Sequence, residues 1–215
     1  MKKHKNNQRF SYRGGEYKMK KEFKNIYQFK IILQEADPPI WRRIQVPETY
    51  TFWDLHVAIQ DAMGWNDCHL HEFNIKRSGL RDEIRIGIPE GDFDTEFLPG
   101  WKHKIADYFS MENRTAEYTY DFGDDWEHTI KLEKILPREM KTKYPLCIEG
   151  ERTCPPEDVG GVYGYEEFLK IIRNPKHKEH KFMLEWIGGK FDPEQFDVKK
   201  IHFDNPDKRL KMIMS

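Results

Sequence analysis

"YTYDFGDDWEHTIKL", residues 118–132, holds two alternating runs around a Gly-Asp-Asp centre. On the incoming run Tyr118, Tyr120 and Phe122 share one face. On the outgoing run Trp126, His128, Ile130 and Leu132 do the same. Period-two alternation of rings and aliphatic groups is the pattern of half-buried strands, and a glycine with aspartates between them is turn chemistry. The segment therefore reads as a β-hairpin. Both apolar sets must meet on one side of the sheet, and a slip of one residue turns every side chain to the opposite face. A two-residue loop would put Trp126 on the face of Asp121, so the loop must be odd. The expected tip is Gly123-Asp124-Asp125 with a bulge, with Phe122 facing Trp126, Tyr120 facing His128 and Tyr118 facing Ile130. His128 then lies inward among rings, Asp121 and Glu127 point the other way, and Asp124 and Asp125 bond their own backbone at a solvated tip.

On the N-terminal side, "IYQFKIILQ" (26–34) and "IWRRIQVP" (40–47) alternate around the turn "ADPP" and form a second hairpin. "TFWDLHVAIQDAMGW" (51–65) has helical spacing, with Thr51 and Asp54 as a capping box, Gly64 as a left-handed stop, and Phe52, Leu55, His56, Ile59, Ala62 and Met63 on one stripe. "HLHEFNIK" (69–76) and "DEIRIGI" (82–88) read as strands, 89–101 as loop, and 103–111 as a short helix. Beyond Pro137 the segment 144–164 has turn residues and no period; 165–175 and 179–189 read as helices, and 192–197 as a capped turn. Hairpins with segregated helices define an α+β fold. We expect a mixed, mostly antiparallel sheet with a β-grasp-like hairpin–helix start and helices packed on it.

The chain has 215 residues, 14 Phe, 10 Tyr and 6 Trp, and a formal net charge of −1. Residues 1–24 carry nine Lys/Arg against two Glu, leaving an acidic remainder. The expected organisation is a basic, disordered arm at 1–24 and one domain at 25–215. The arm can touch nucleic acid weakly and without base specificity, through phosphate contacts alone. No apolar run approaches the roughly 18 residues of a membrane helix, and no apolar segment follows the basic start, so neither a membrane nor a secretory signal is expected. Cys68, Cys147 and Cys154 form a sparse, odd set that fits a reducing, cytoplasmic compartment.

Three kinds of chemistry can be drawn from these residues. Asp121, His128, Glu157 and Asp158 are the candidate catalytic groups, as acid, base or water-orienting side chains. Trp126, Tyr120 and Trp186 are the candidate ligand-binding rings. His69 and His71, two apart on a strand, share a face and with His128, Cys147 and Cys154 could hold zinc or another divalent transition metal. The bland alternatives are turn formers at the tip, packed histidines and buried thiols, and with them no cofactor. Neither a nucleophile elbow nor a phosphate-loop pattern occurs.

Five stretches then agree in order: "PPIWRRIQVP", "AIQDAMGWNDCHLHEF", "YDFGDDWEHTIKLEKI", "CIEGERTCPPEDVGGVYGYEEFL" and "WIGGKFDPEQFD". Together they resemble the plasmid pRiA4b ORF-3-like family over about residues 25–205. The resemblance implies a compact α+β domain. Residues that match its motifs include His69, His71, Asp121, Gly123, Asp124, Trp126, His128, the run Cys154–Asp158, Gly160, Gly161, Trp186, Gly188 and Gly189. Some relatives carry a transposon-resolvase label, but no serine nucleophile with an arginine cluster accompanies it here. The expected role is a binding or interaction module with a protein partner. The alternatives are a metal-assisted hydrolase, with His69, His71 and His128 on the ion and Asp121 or Glu157 as base, and a DNA-associated protein of mobile elements.

Overall fold

The computed structural model describes residues 22–76, 83–89 and 96–214. Most of the basic arm therefore lies outside the described residues. Among the described residues eight strands form one sheet: β1 (Asn25–Leu33), β2 (Ile40–Pro47), β3 (His71–Lys76), β4 (Glu83–Gly87), β5 (Leu98–Pro99), β6 (Thr115–Tyr120), β7 (Trp126–Pro137) and β8 (Leu146–Glu151). Their spatial order is β5-β4-β3-β6-β7-β1-β2-β8. Every neighbouring pair is antiparallel except the short β4–β5 pair. The described residues also form four α-helices: α1 (Phe52–Met63), α2 (Gly161–Arg173), α3 (His180–Trp186) and α4 (Pro206–Ile213). The chain is α+β, and its hairpin–helix start is present as β1-β2-α1.

Helix α1 forms where the sequence specifies it. The Thr51 hydroxyl accepts from the Asp54 N–H while the Asp54 carboxylate accepts from the Thr51 N–H, and Gly64 closes the helix at φ 93°. Its apolar stripe covers the face of the sheet that carries Phe29, Ile31, Ile44, Phe73, Tyr118, Ile130 and Leu132, all fully buried. Phe52 packs edge-on to Phe73, with ring centres 5.1 Å apart. Each such side chain contributes about 1.5–3 kcal/mol of burial. Arg42 ties the helix end to the sheet. Buried itself, it donates to the carbonyls of Ala62, Trp41, Glu151 and Arg152, each at 2.8 Å.

The hairpin has the expected faces, displaced by two residues. Tyr120 faces Trp126, Tyr118 faces His128 and Ala116 faces Ile130, so the tip is Asp121–Asp125 rather than 123–125. A shift of two keeps the parity, and His128 points inward as expected, 1% exposed. The ladder stops early because Asp121 leaves the strand in the left-handed region, at φ 57°, and its N–H donates to the Leu70 carbonyl beside β3. Phe122 is therefore 48% exposed instead of facing Trp126.

Four further departures have local causes. β8 lies in the segment expected to be irregular, pairs with β2 and starts two residues after Tyr144. α2 begins at Gly161, behind a left-handed Gly160, before its apolar stripe starts at Tyr165. The 103–111 stretch holds only a short 3-10 turn, Ile105–Asp107. α4 has no buried residue, so no apolar period announced it, although Asn205 caps it and Pro206 opens it.

Candidate functional site

Three loops converge at one end of the sheet. The first runs from the Gly64 stop of α1 to β3 and carries Asp67, Cys68 and His69. The second is the hairpin tip. The third follows β8 and carries Glu157 and Asp158. The second and third are fastened together: the Gly160 N–H donates to an Asp124 carboxylate oxygen at 3.0 Å. Next to it, a Cβ on Gly161 would lie 2.5 Å from the Asp124 carbonyl, at a backbone φ of 68°. Only glycine permits that approach. Trp65 fastens the third loop to the first by donating from its indole to the Pro155 carbonyl at 3.0 Å.

His69 sits where the loops meet. Its Nε2 lies 3.1 Å from Asp158 Oδ1, 3.5 Å from Asp121 Oδ2 and 3.9 Å from Glu157 Oε2. The ring is 29% exposed, but that nitrogen is buried and, among the described residues, makes ion-pair contacts without a well-aligned hydrogen bond. Asp121 is 7% exposed, and its second oxygen accepts from the Gly123 N–H at 2.9 Å, which aims the first at His69. Glu157 accepts from the Asn66 N–H at 2.6 Å and from the Tyr120 hydroxyl at 3.2 and 3.3 Å. Burial, and then the Glu157 charge, push the Tyr120 phenol above its ordinary pKa, so it stays a donor. Cys68 lies beside this set, and desolvation raises its thiol as well. Donor atoms from His69, Asp121 and Asp158 all fall within 4.8 Å of one another, and so do those from Cys68, His69 and Glu157.

Of the residues singled out from sequence, His69, Asp121, Glu157 and Asp158 are thus brought together, with the hydroxyl of Tyr120 beside them. The others are elsewhere. β3 begins at His71, not His69, so the two imidazoles part. His71 is buried and stacks on His56, with ring centres 3.4 Å apart and planes 7° apart. His56 bridges the Tyr118 hydroxyl at 2.8 Å and Asp67 at 2.7 Å, and Arg209 of α4 reaches the other Asp67 oxygen at 3.3 Å. Burial depresses both imidazoles. His128 is packed between Tyr118 and Trp65, and burial lowers its pKa to about 4. Cys147 and Cys154 are buried thiols near Arg42, raised by burial to about 11 and about 12. The five-residue metal set His69, His71, His128, Cys147 and Cys154 therefore does not assemble, because four of its members are core side chains. Trp126 is fully buried. Trp186 is half-exposed and packs edge-on to Phe168, 5.9 Å between ring centres. Cys68 escaped the sequence reading, although its place directly before His69 was the available signal.

Two clefts flank the cluster. One, of about 740 Å³, is walled by Trp53, Leu70, Ile88, Pro89, Phe97, Pro99, Trp101, Ile213 and Met214, with Asp67, Cys68, His69 and Lys102 as its polar lining. The other, of about 540 Å³, includes Glu157, Asp158, Trp65 and Trp186. Among the described residues no helix is long and apolar enough to cross a membrane.

The comparisons agree with this architecture. The family profile described as plasmid pRiA4b ORF-3-like protein matches residues 25–200. An uncharacterized protein of Sinorhizobium fredii, y4hQ, is 35% identical over 166 residues, 77% of this chain and 82% of the relative. The crystal structure of a protein of unknown function from Methanosarcina mazei Go1, MM3350, is similar with a TM-score of 0.79 and 47% identity, covering 85% of this chain and 100% of the other.

Proposed function

The chain belongs to the plasmid pRiA4b ORF-3-like family, and from that premise we propose that it is a binding module whose working centre is a divalent-cation site made by His69, Asp121 and Asp158, with Glu157 beside them. One observation carries the reading: the Nε2 atom of the partly exposed His69 ring is buried, makes no well-aligned hydrogen bond to a described residue, and faces three carboxylate oxygens at 3.1, 3.5 and 3.9 Å. Donors held about 2.0–2.2 Å from a tetrahedral ion stand roughly 3.3–3.6 Å from one another. The spacings from His69 bracket that range, and the donor atoms of His69, Asp121 and Asp158 all lie within 4.8 Å of one another. Three carboxylates around one imidazole also repel each other, and a doubly charged ion offsets most of that repulsion. An imidazole with carboxylates suits zinc, manganese or iron better than magnesium or calcium, which prefer oxygen alone. The adjacent Cys68 thiol adds a soft donor and tilts the choice toward zinc.

Metal content of the purified protein, followed by calorimetric titration of zinc into chelator-treated protein, tests the site. The expected result is one equivalent, with His69→Ala and the double change Asp121→Asn, Asp158→Asn each weakening zinc by at least about ten-fold. Less than a tenth of an equivalent, with no titration heat, would refute it.

A further inference from the structure

We infer that the face of the sheet turned away from α1 carries a second, independent site: a pocket for a small ligand bearing two or more phosphate groups. The observation behind it is a row of like charges. Lys30 of β1 stands directly opposite Arg43 of β2 on one side and Lys131 of β7 on the other. Residues paired in this way point to the same side of a sheet. Phe29 and Ile31, the neighbours of Lys30, are buried on the α1 side, so the three cations share the outer face. Like charges directly opposite one another destabilise a sheet. A row of them across three adjacent strands is a local conflict of the kind found at functional surfaces.

The surroundings add to the row. Phe29 faces Leu132 while Gln28 faces Lys134, so Glu133 is the extra residue of a β-bulge. The bulge turns Lys134 to the same face as Lys131. Arg114, just before β6, joins Arg43, Lys131 and Lys134 around a pocket of about 610 Å³, the size of a small-molecule site. Both acids of the lining, Glu133 and Glu149, bind Arg43. Arg114, Lys131 and Lys134 make no ion pair with a described residue. Glu112, near Arg114, is bonded to Ser110 and lies outside the lining. With Lys30, five cations thus stand against two carboxylates, in a chain whose formal net charge is −1. Two of the cations are held in place. Lys30 and Arg43 lie 4.2 and 5.0 Å from the centre of the Trp41 ring, and Arg43 grips Glu133 through two nitrogens at 2.7 and 3.0 Å. Cations fixed beforehand reduce the ordering cost of binding. Three adjacent strands spread the row over roughly 10 Å. A single carboxylate cannot meet charges spread so widely, whereas a short chain of phosphates can, and Lys and Arg are its usual partners.

The test titrates tripolyphosphate and orthophosphate into metal-free, full-length protein by calorimetry, at about 0.15 M salt. Removing metal keeps the probe from acting through the cation site. The expected result is one equivalent of tripolyphosphate, bound at least about ten-fold tighter than orthophosphate. Lys131→Gln combined with Lys134→Gln should weaken it by about ten-fold or more. Lys3→Gln combined with Lys5→Gln, in the basic N-terminal segment, should change it by less than about two-fold, since that segment offers only diffuse charge. Both pocket lysines are exposed, and removing them relieves the row, so the urea midpoint of the pocket variant should equal or exceed that of the parent. Absence of saturable binding overturns the inference. So does an equal loss from the N-terminal change, or no loss from the pocket change. If single-stranded oligodeoxythymidylate binds and loses affinity through the pocket change while tripolyphosphate does not bind, the face belongs to nucleic acid and the small-ligand site is refuted. A lowered urea midpoint in the pocket variant also counts against it, because the row would then be a stabilising part of the fold.

Discussion

Replacing His128 with leucine should remove a defined part of the acid sensitivity of the fold. His128 is 1% exposed; its Nδ1–H donates to the Tyr118 carbonyl at 3.3 Å, and its Nε2 has no hydrogen-bond partner among the described residues. Burial lowers its pKa to about 4, whereas an unfolded chain gives about 6.5. Between those values the unfolded chain holds the proton and the native one does not. Stability is therefore complete above the unfolded pKa and declines as pH falls toward the folded one. The full gap corresponds to about 3 kcal/mol, and at about pH 5 roughly 2 kcal/mol should already be lost. Leucine has a similar volume and leaves no orphaned nitrogen, so the variant should stay within about 1 kcal/mol of the parent at neutral pH. Urea unfolding followed by tryptophan fluorescence at about pH 7 and pH 5 measures both proteins. The parent should lose roughly 2 kcal/mol more than the variant. His56 and His71 are depressed in both chains and cancel in the subtraction. Equal losses, within about 0.5 kcal/mol, would show that the buried imidazole is not held neutral.

Gly161→Ala should destabilise the chain by about 2–4 kcal/mol in the same unfolding assay, because the new Cβ strikes the Asp124 carbonyl and the backbone sits at positive φ; zinc affinity should fall with it as the third loop leaves the tip. Arg42→Lys should cost about 3 kcal/mol or more, since one ammonium cannot serve the four carbonyls that the guanidinium reaches; a Tm unchanged from the parent would contradict that account. Thr51→Ala breaks the capping box of α1 and should cost about 1 kcal/mol, read as a shift in the urea midpoint with the slope unchanged.

The elements legible in the sequence were those whose signals are local. Thr51, Asp54 and Gly64 bound α1, and alternation set β1, β2 and the inward face of the hairpin. What the sequence hid depends on distant partners. The two-residue displacement of the hairpin comes from Asp121 bonding Leu70, a residue outside the hairpin. β8 exists because β2 offers it an edge, and "LCIEGE" has little alternation of its own. The same holds for the site. His69 and Asp121 were candidates in separate roles, as metal ligand and as catalytic acid or base. Their union with Glu157 and Asp158 required the Gly160–Asp124 fastening, which no spacing rule contains. His71 and His128 were misleading because a histidine on an apolar face looks the same in sequence whether it is a ligand or a packed ring.

The strand order has a consequence for synthesis. β1 is the first described strand to leave the ribosome, yet it lies between β2 and β7, and β7 ends at Pro137. Until that segment emerges, the β1–β2 hairpin carries a long, apolar, open edge with nothing to pair against. Such an edge invites association with other chains. Truncations that end before Trp126 should therefore be insoluble rather than merely unstable, and the intact chain should collapse late, once its middle third is free.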